Sequence, residues 1–571
     1  MQPRKEHPKP QFMRSDWQNL NGYWSFEIDN PNSGFEKGFH QQGVSFSQQI
    51  LVPFCPESKL SGIGNTDFMN AVWYKKIVNI SKTDCLVRLH FGAADYHTKV
   101  YINGNPVGEH KGGYTSFCFD ITDFISSGEN EICVQCIDDV RSPMTPRGKQ
   151  SHRYASRGCL YTRTTGIWQT VWLEYVPRNN IASVKYYPNI HDGSVTVKAA
   201  LCGKGDFRFS VSYKDTPMGE YLADDVSGEI TFTVPLREKH LWEVGHGRLY
   251  DVKITFGEDV VSSYFGLRQV RFEGLKFLLN ERSVFQRLVL DQGYYPDGIY
   301  TAPTDEALRG DIVLSMNAGF NGARLHEKIF EERFLYYADQ MGYLVWGEYP
   351  NWGLDHTDPM SIYAIMPEWM EAVERDFNHP SIIGWCPNNE TWDINGHKQY
   401  DAAIENIYNL TKALDTTRPC IDTSGGFHVK TDVFCVHDYT QDGQEFYNKY
   451  QPLAEGGELF DRRVELNPAY QGRQQYKGEP CFLSEYGGIC YQPDATGWGY
   501  GGRQNNPEEF YARFQGLTDV LLNHPKMFGL CYTQLTDVEQ EQNGIYHYDR
   551  TCKFDVAPIR AILQKKAAIE D

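Results

Sequence analysis

The chain has 571 residues, 41% apolar and 14% aromatic, with a formal net charge of −19 at pH 7. That length exceeds what one hydrophobic core supports and implies about two to four domains. The acidic balance excludes partners that need a cationic surface, such as nucleic acid or an anionic membrane.

No run approaches the roughly 18 consecutive apolar residues of a membrane span. The opening MQPRKEHPKPQFMRSDWQNL lacks the apolar segment of a signal peptide, so a cytoplasmic protein is expected. The 14 cysteines form no framework. Cys133 and Cys136 make the only C-x-x-C, but they lie in an alternating strand-like run that would turn the two thiols to opposite faces. Free buried thiols are therefore expected rather than zinc ligands.

Residues 1–180 are strand-rich, with short alternations at Cys85–Phe91, Lys99–Ile102, Glu131–Ile137 and Thr170–Tyr175. Asn103-Gly104 between two such runs is a hairpin signal. This pattern predicts a jelly-roll β-sandwich. Residues 181–271 repeat the pattern over a shorter span, with strands at Val195–Ala199, Phe207–Val211, Glu229–Val234 and Tyr250–Thr255. About seven strands there fit an immunoglobulin-like β-sandwich, with Trp242 as a candidate for its core.

From 272 to 571 strands alternate with helices, which implies a parallel sheet. Strands are predicted at Val284–Asp291, Phe320–His326, Tyr343–Tyr349, Ser381–Pro387, Pro419–Ser424, Val433–His437, Pro480–Glu485 and Met527–Gln534. Helices are predicted at Thr304–Ala318, Glu331–Met341, Glu368–Asn378, Tyr400–Leu414, Pro507–Asn523 and Ala557–Ile569. This is the pattern of a (β/α)8 TIM barrel. The long polar link at 439–480 is expected to lie over the active-site face.

Barrel enzymes work at the C-terminal ends of their strands. There the sequence places Asp291, Arg324 and His326, Glu348, Asn389 and Glu390, His437, Asp438 and Tyr439, Glu485 and Tyr486, and Gln534 and Asp537. A single Glu after an apolar run is ordinarily a loop or cap residue. Two of them, Glu390 after strand four and Glu485 after strand seven, suit glycosidic cleavage, which needs a proton donor and an opposing carboxylate. Glu390 is assigned as general acid/base, with a raised pKa expected, and Glu485 as nucleophile. Asn389 is expected to bind the sugar hydroxyl beside the anomeric carbon. Arg324 is expected to hold Glu485 ionised, with Tyr439 or Tyr486 steadying it. Asp291, His326, Trp352, His437, Gln534 and Asp537 complete the candidate substrate contacts, with Trp346 and Trp352 as possible sugar platforms. Metal-ligand spacing is absent around His326 and His437, which favours substrate hydrogen bonding there.

At these residues the chain resembles glycoside hydrolase family 2, the family of β-galactosidases, β-glucuronidases and β-mannosidases. Trp17-Gln-Asn-Leu-Asn-Gly-Tyr-Trp24 is similar to that family's opening, Thr165-Gly166-Ile167-Trp168 to the end of its jelly roll, and Phe265-Gly266-Leu267-Arg268 to the lead into its barrel. His379-Pro-Ser-Ile-Ile-Gly-Trp-Cys-Pro-Asn-Asn-Glu390 resembles the acid/base motif, and Ser484-Glu485-Tyr486-Gly487 the nucleophile motif. The resemblance implies retaining, exo-acting release of a terminal sugar, with a carbohydrate as partner. No cofactor is required, and a site-adjacent alkali or divalent ion and the oligomeric state are left open.

The chain departs from the family where specificity is set. β-Glucuronidases of the family carry Asn-x-Lys-Gly after strand eight, whereas Glu541-Gln542-Asn543-Gly544 stands here. An acid at that place disfavours a sugar carboxylate. Strand eight ends Tyr532-Thr533-Gln534 where many relatives place Trp. The expected activity is that of a β-galactosidase-type glycosidase. The rival enzyme is a furanoside hydrolase acting on α-L-arabinofuranosides or β-D-galactofuranosides, and the rival of another class is a catalytically silent carbohydrate-binding protein.

Overall fold

In the first domain, alternating apolar and polar side chains produce two facing antiparallel sheets. One runs in the order Trp17–Asn19, Val171–Val176, Leu86–Phe91, Phe117–Asp120. The other runs Gln48–Val52, Gly22–Ile28, Ala71–Ile80, Gly128–Ile137, His97–Ile102, Asn105–Lys111. The computed structural model describes residues 2–81, 84–394, 396–491 and 497–570. Trp24, Phe26, Tyr74, Leu89 and Val134 belong to the core between the sheets. The predicted hairpin forms at Asn103 and Gly104, whose φ values of 52° and 82° suit a two-residue turn. Cys136 packs in the main core while Cys133 joins a separate cluster with Trp73 and Tyr101, as the alternation requires, and the cysteines are free thiols.

The second domain has five strands, Asn180–Asn189, Ser194–Tyr213, Thr216–Pro235, Leu249–Phe256 and Asp259–Gly266. The runs Val195–Ala199 and Phe207–Val211, predicted as separate strands, are two halves of one 20-residue strand. Its register slips between Leu201 and Lys204 and again between Gly205 and Phe207. Such bulges bend a strand. The first half pairs with Asn180–Asn189 and the second with Leu249–Phe256. Trp242 corrects another expectation. It packs in the barrel core, not in this domain's, and its indole N–H donates to the Asp339 carbonyl at 2.7 Å.

The third domain is the TIM barrel. Seven parallel strands are ordered Ile382–Cys386, Leu344–Glu348, Gly322–Leu325, Gln286–Asp291, Met527–Thr533, Cys481–Gly487, Phe434–Asp438. In barrel order these are strands four, three, two, one, eight, seven and six. The predicted fifth strand is irregular and joins strand four through two parallel bridges, Trp385 to Cys420 and Asn389 to Ser424. Its polar side chains compete for the backbone. Asp422 alone accepts from the amides of Thr423, Val429 and Lys430. Trp346 lies in the barrel core, fully buried, with its N–H on Gln286 at 2.8 Å, so it is no sugar platform. The link after strand six carries helices Gly443–Ala454 and Arg462–Leu466.

Arg14 ties the first two domains together. Its guanidinium bonds both Asp259 oxygens at 2.8 and 2.9 Å, Glu174 at 3.1 Å and the Ile181 carbonyl at 2.7 Å. All three charged groups are buried. Replacing Arg14 with Met leaves two buried carboxylates without their cation, a loss of about 3–5 kcal/mol. The expected outcome is a lower urea midpoint for the Arg14→Met chain than for wild type, followed by circular dichroism.

Candidate active site

Strand four ends at Cys386, and the chain runs on through Pro387, Asn388 and Asn389 to Glu390. Glu390 has a φ of 46°, a backbone conformation uncommon outside glycine, and its N–H donates to the Ser424 carbonyl at 2.8 Å. These constraints aim its carboxylate across the mouth, where Oε1 lies 2.7 Å from His437 Nδ1. Strands six and seven pair His437 with Glu485, which brings that imidazole to the second carboxylate as well, 3.4 Å from Oε2. Gly425 permits this packing, since a Cβ there would lie 2.4 Å from the His437 ring.

Glu485 is held from both sides. Arg324 Nη1 donates to Oε1 at 3.2 Å and the Tyr439 hydroxyl to Oε2 at 2.5 Å. Tyr439 is itself stacked on Tyr500, centroids 3.5 Å apart. Arg324 is fully buried, and its other arm reaches Glu348 at 2.5 Å and Asn389 Oδ1 at 3.1 Å. His326 Nδ1 lies 2.9 Å from Glu348 and 3.9 Å from Glu485. Asn351 fixes Asn389 by accepting from its N–H at 2.6 Å and donating to its carbonyl at 3.0 Å. The half-buried Trp352 donates to the same carbonyl at 3.2 Å.

Burial raises the Glu485 pKa, but His437, His326, Arg324 and Lys149 outweigh it, and the carboxyl is held well below the ordinary range. Glu348 behaves alike. Burial opposes ionisation, Arg324 and His326 favour it, and the net value falls to about 2. Glu390 departs from the raised value expected of an acid. Burial pushes it up, yet the His437 hydrogen bond and charge win, and the net shift is downward. Burial, then the charge of Lys149, lowers His326.

The structure thus gathers Glu390, Glu485, Asn389, Arg324, His326, Trp352, His437 and Tyr439 in one network. Three candidates are engaged elsewhere. Asp291 accepts from the Gly293 amide at 2.9 Å within its own turn, and burial with the Asp311 charge raises it to about 7. Gln534 donates to Asn543 at 2.8 Å. Asp537 pairs with Lys553 at 2.5 Å and accepts from the Gly544 amide at 2.9 Å, which makes it a structural acid. Glu541 accepts from Tyr161 at 2.6 Å and from Asn543 at 3.1 Å, so it is already bonded on both oxygens.

Sequence reasoning missed Lys149, Tyr161, Asn351 and Tyr500. Lys149 and Tyr161 come from the first domain, remote in sequence from the barrel. Lys149 Nζ sits 3.6 Å from the centroid of the Trp352 ring. Burial lowers its pKa, but Cys159 and the surrounding carboxylates of Glu541, Glu485 and Glu327 raise it more. One group of donors among the described residues has the spacing to hold a metal ion, Glu390, His437 and Glu485. Their facing atoms are already taken up by one another, Arg324 and Tyr439, and no metal is assigned to them.

Family models described as "Glycosyl hydrolases family 2, sugar binding domain", "Glycosyl hydrolases family 2" and "Glycosyl hydrolases family 2, TIM barrel domain" match residues 17–142, 179–268 and 304–524. A β-galactosidase of Thermoanaerobacterium thermosulfurigenes is 27% identical over 459 residues, 74% of this chain and 60% of the relative. A β-glucuronidase of Mus musculus is 26% identical over 522 residues, 82% of this chain and 77% of the relative. The chain thus spans less than two thirds of the first of these and about three quarters of the second. The fold of Ruminococcus gnavus β-glucuronidase superposes with a TM-score of 0.79 at 18% identity, covering 99% of this chain and 100% of that one. With all three of its domains matched in order by models of one family, the chain belongs to family 2 of the glycosyl hydrolases.

Proposed function

We propose that this family 2 glycosidase is a retaining, exo-acting enzyme of β-galactosidase type, with Glu485 as nucleophile and Glu390 as acid/base. The observation that carries the reading is the carboxylate pair, since an oxygen of Glu390 and one of Glu485 lie within 4.8 Å of each other. Retaining sites hold their carboxyl groups about 5–5.5 Å apart, and inverting sites about 6.5–9.5 Å.

In the first step Glu485 attacks the anomeric carbon as the bond to the leaving oxygen breaks, and Glu390 gives that oxygen its proton. The product is a glycosyl ester on Glu485. In the second step Glu390 takes a proton from water, whose oxygen attacks the same carbon. Net configuration is retained and Glu485 is freed. The Glu485 charge raises the Glu390 pKa. Esterification removes that charge, so Glu390 becomes more acidic when it must remain ionised to accept the water proton.

A neutral sugar is favoured by the acids around the pair. Glu327, Glu348 and Glu541 are all buried there, and Glu541 stands where β-glucuronidases of the family carry their clamp. One observation supports a second reading, a β-glucuronidase. Lys149 Nζ lies 3.6 Å from the Trp352 ring centroid and could receive a uronate.

Initial rates on aryl β-galactopyranoside, β-glucoside, β-mannoside, β-glucuronide, α-L-arabinofuranoside and β-galactofuranoside test the sugar. The expected winner is the β-galactopyranoside. A glucuronide winner assigns Lys149 the clamp, a furanoside winner means a reshaped subsite, and no hydrolysis supports a silent binding protein. The Glu485→Gln variant is expected to lose turnover on every substrate. Glu390→Ala is expected to retain partial turnover of activated aryl glycosides and to be rescued by azide. If it instead cleaves poor leaving groups at the wild-type rate, the acid assignment is wrong. Tyr439→Phe removes a donor to the Glu485 carboxylate, worth about 10- to 100-fold in kcat/KM. Because that donor favours the ionised form, its loss raises the Glu485 pKa, and the acid limb of the pH–kcat/KM profile moves to higher pH.

A further inference from the structure

The link between strands six and seven carries a cation that the hydrolytic steps leave unused. Asp461 caps helix Arg462–Leu466 by accepting from the Arg463 N–H at 2.8 Å. The Arg463 side chain then turns inward and is 7% exposed. Its guanidinium lies 4.0 Å from the Trp392 ring centroid and 4.8 Å from that of Phe427. One arm donates to the Gly425 carbonyl. The other, Nη1, is buried without a hydrogen-bond partner, and Arg463 makes no ion pair among the described residues. Its neighbour Arg462, by contrast, pairs with Asp438 at 3.1 Å.

The acids around Arg463 are engaged elsewhere. Glu390 faces His437, Asp461 takes the Arg463 amide and the Gln474 side chain, and Asp393 accepts from the Gln399 amide. A buried guanidinium without a counter-ion is costly, and an incoming carboxylate relieves that cost. Arg463 also lines the same cavity as Glu390, His437 and Tyr439, together with Trp392 and Leu466. Its volume of about 60 Å³ holds several waters, or a carboxylate in their place. Trp392 at its rim is 42% exposed and offers a surface on which a ring can pack.

A cavity that opens on the proton donor lies on the departing side of the scissile bond. Resting on the assignment of Glu390 as acid/base, we propose that this cavity is the leaving-group subsite for an acidic glycan, with Arg463 binding the carboxylate of a uronic-acid residue as that residue departs. The glycosidase would then remove a terminal sugar from a uronate-bearing chain. Trp392 would carry the face of the departing ring, and Arg463 would fix its orientation relative to Glu390.

The test uses matched substrates built on the sugar that wins the aryl panel, namely its 4-carboxyphenyl glycoside and the methyl ester of that compound. Affinities are measured by calorimetry on the Glu485→Gln protein, so leaving-group electronics do not enter. The carboxylate is expected to bind about 10- to 100-fold more tightly than the ester, as for a hydrogen bond to a charged group. Adding Arg463→Gln is expected to bring the ratio near one. Where that variant does not fold, Arg463→Lys takes its place, and a smaller ratio is expected because the planar fork is lost. Equal affinities in the parent protein, or a preference that survives the loss of Arg463, overturn the proposal and leave Arg463 as a clamp between Trp392 and Phe427. A panel without hydrolysis overturns the glycosidase reading and this inference with it.

Discussion

The buried guanidinium of Arg324 is the group on which the barrel mouth depends. It is inaccessible to water, so its charge must be met inside the protein. Glu348, Glu485, Asn389 and the Ser484 carbonyl meet it from strands three, four and seven. These contacts keep Glu485 ionised and orient Asn389 beside it. They also explain why Glu348, a third acid in a small space, can remain ionised, with His326 and the Glu327 amide on its other oxygen. Removing any one acceptor would leave the guanidinium partly unpaired. The network is therefore cooperative, and its members are not independent contributors.

The first domain places side chains at the barrel mouth, and the second holds that domain and the barrel together. Lys149 and Tyr161 reach the barrel from the jelly roll, Lys149 onto Trp352 and Tyr161 onto Glu541. Gln292 donates to the Tyr161 hydroxyl from just past strand one. Barrel loops and jelly-roll loops thus share one hydrogen-bonded floor. Arg14 holds the jelly roll to the second domain, and Trp242 anchors the second domain in the barrel core.

The barrel was legible because parallel strands buried on both faces read as apolar runs, and active-site acids then stand at their ends. That rule singled out Glu390 and Glu485 as candidates, but it cannot tell which strand-end acid faces the mouth. Asp537 has the same context as Glu485 and is neutralised by Lys553. Strand five was legible as a segment and not as an irregular one, because Asp422, Thr423 and Ser424 take backbone partners that a strand would use. Trp242 was misplaced because nothing local distinguishes a residue that packs on its own domain from one that crosses to the next. Lys149 gave no signal at all, since its partners lie far along the chain.

The direction of the Glu390 shift was missed for a similar reason, and it bears on the mechanism. Ser424 Oγ donates to Ser484 Oγ at 2.9 Å and lies 3.0 Å from His437 Nε2. A hydroxyl has one proton to donate, so Ser424 receives from Nε2–H. Nδ1 lies 2.7 Å from the Glu390 carboxylate, and this contact outweighs both burial and the Glu485 charge in setting the direction of the Glu390 shift. In the proposed mechanism, loss of the Glu485 charge on esterification moves Glu390 further toward its basic form, the form the second step needs. Gly425, which leaves the imidazole room, and Ser424, which fixes its ring, thus set the contact that governs the Glu390 carboxyl.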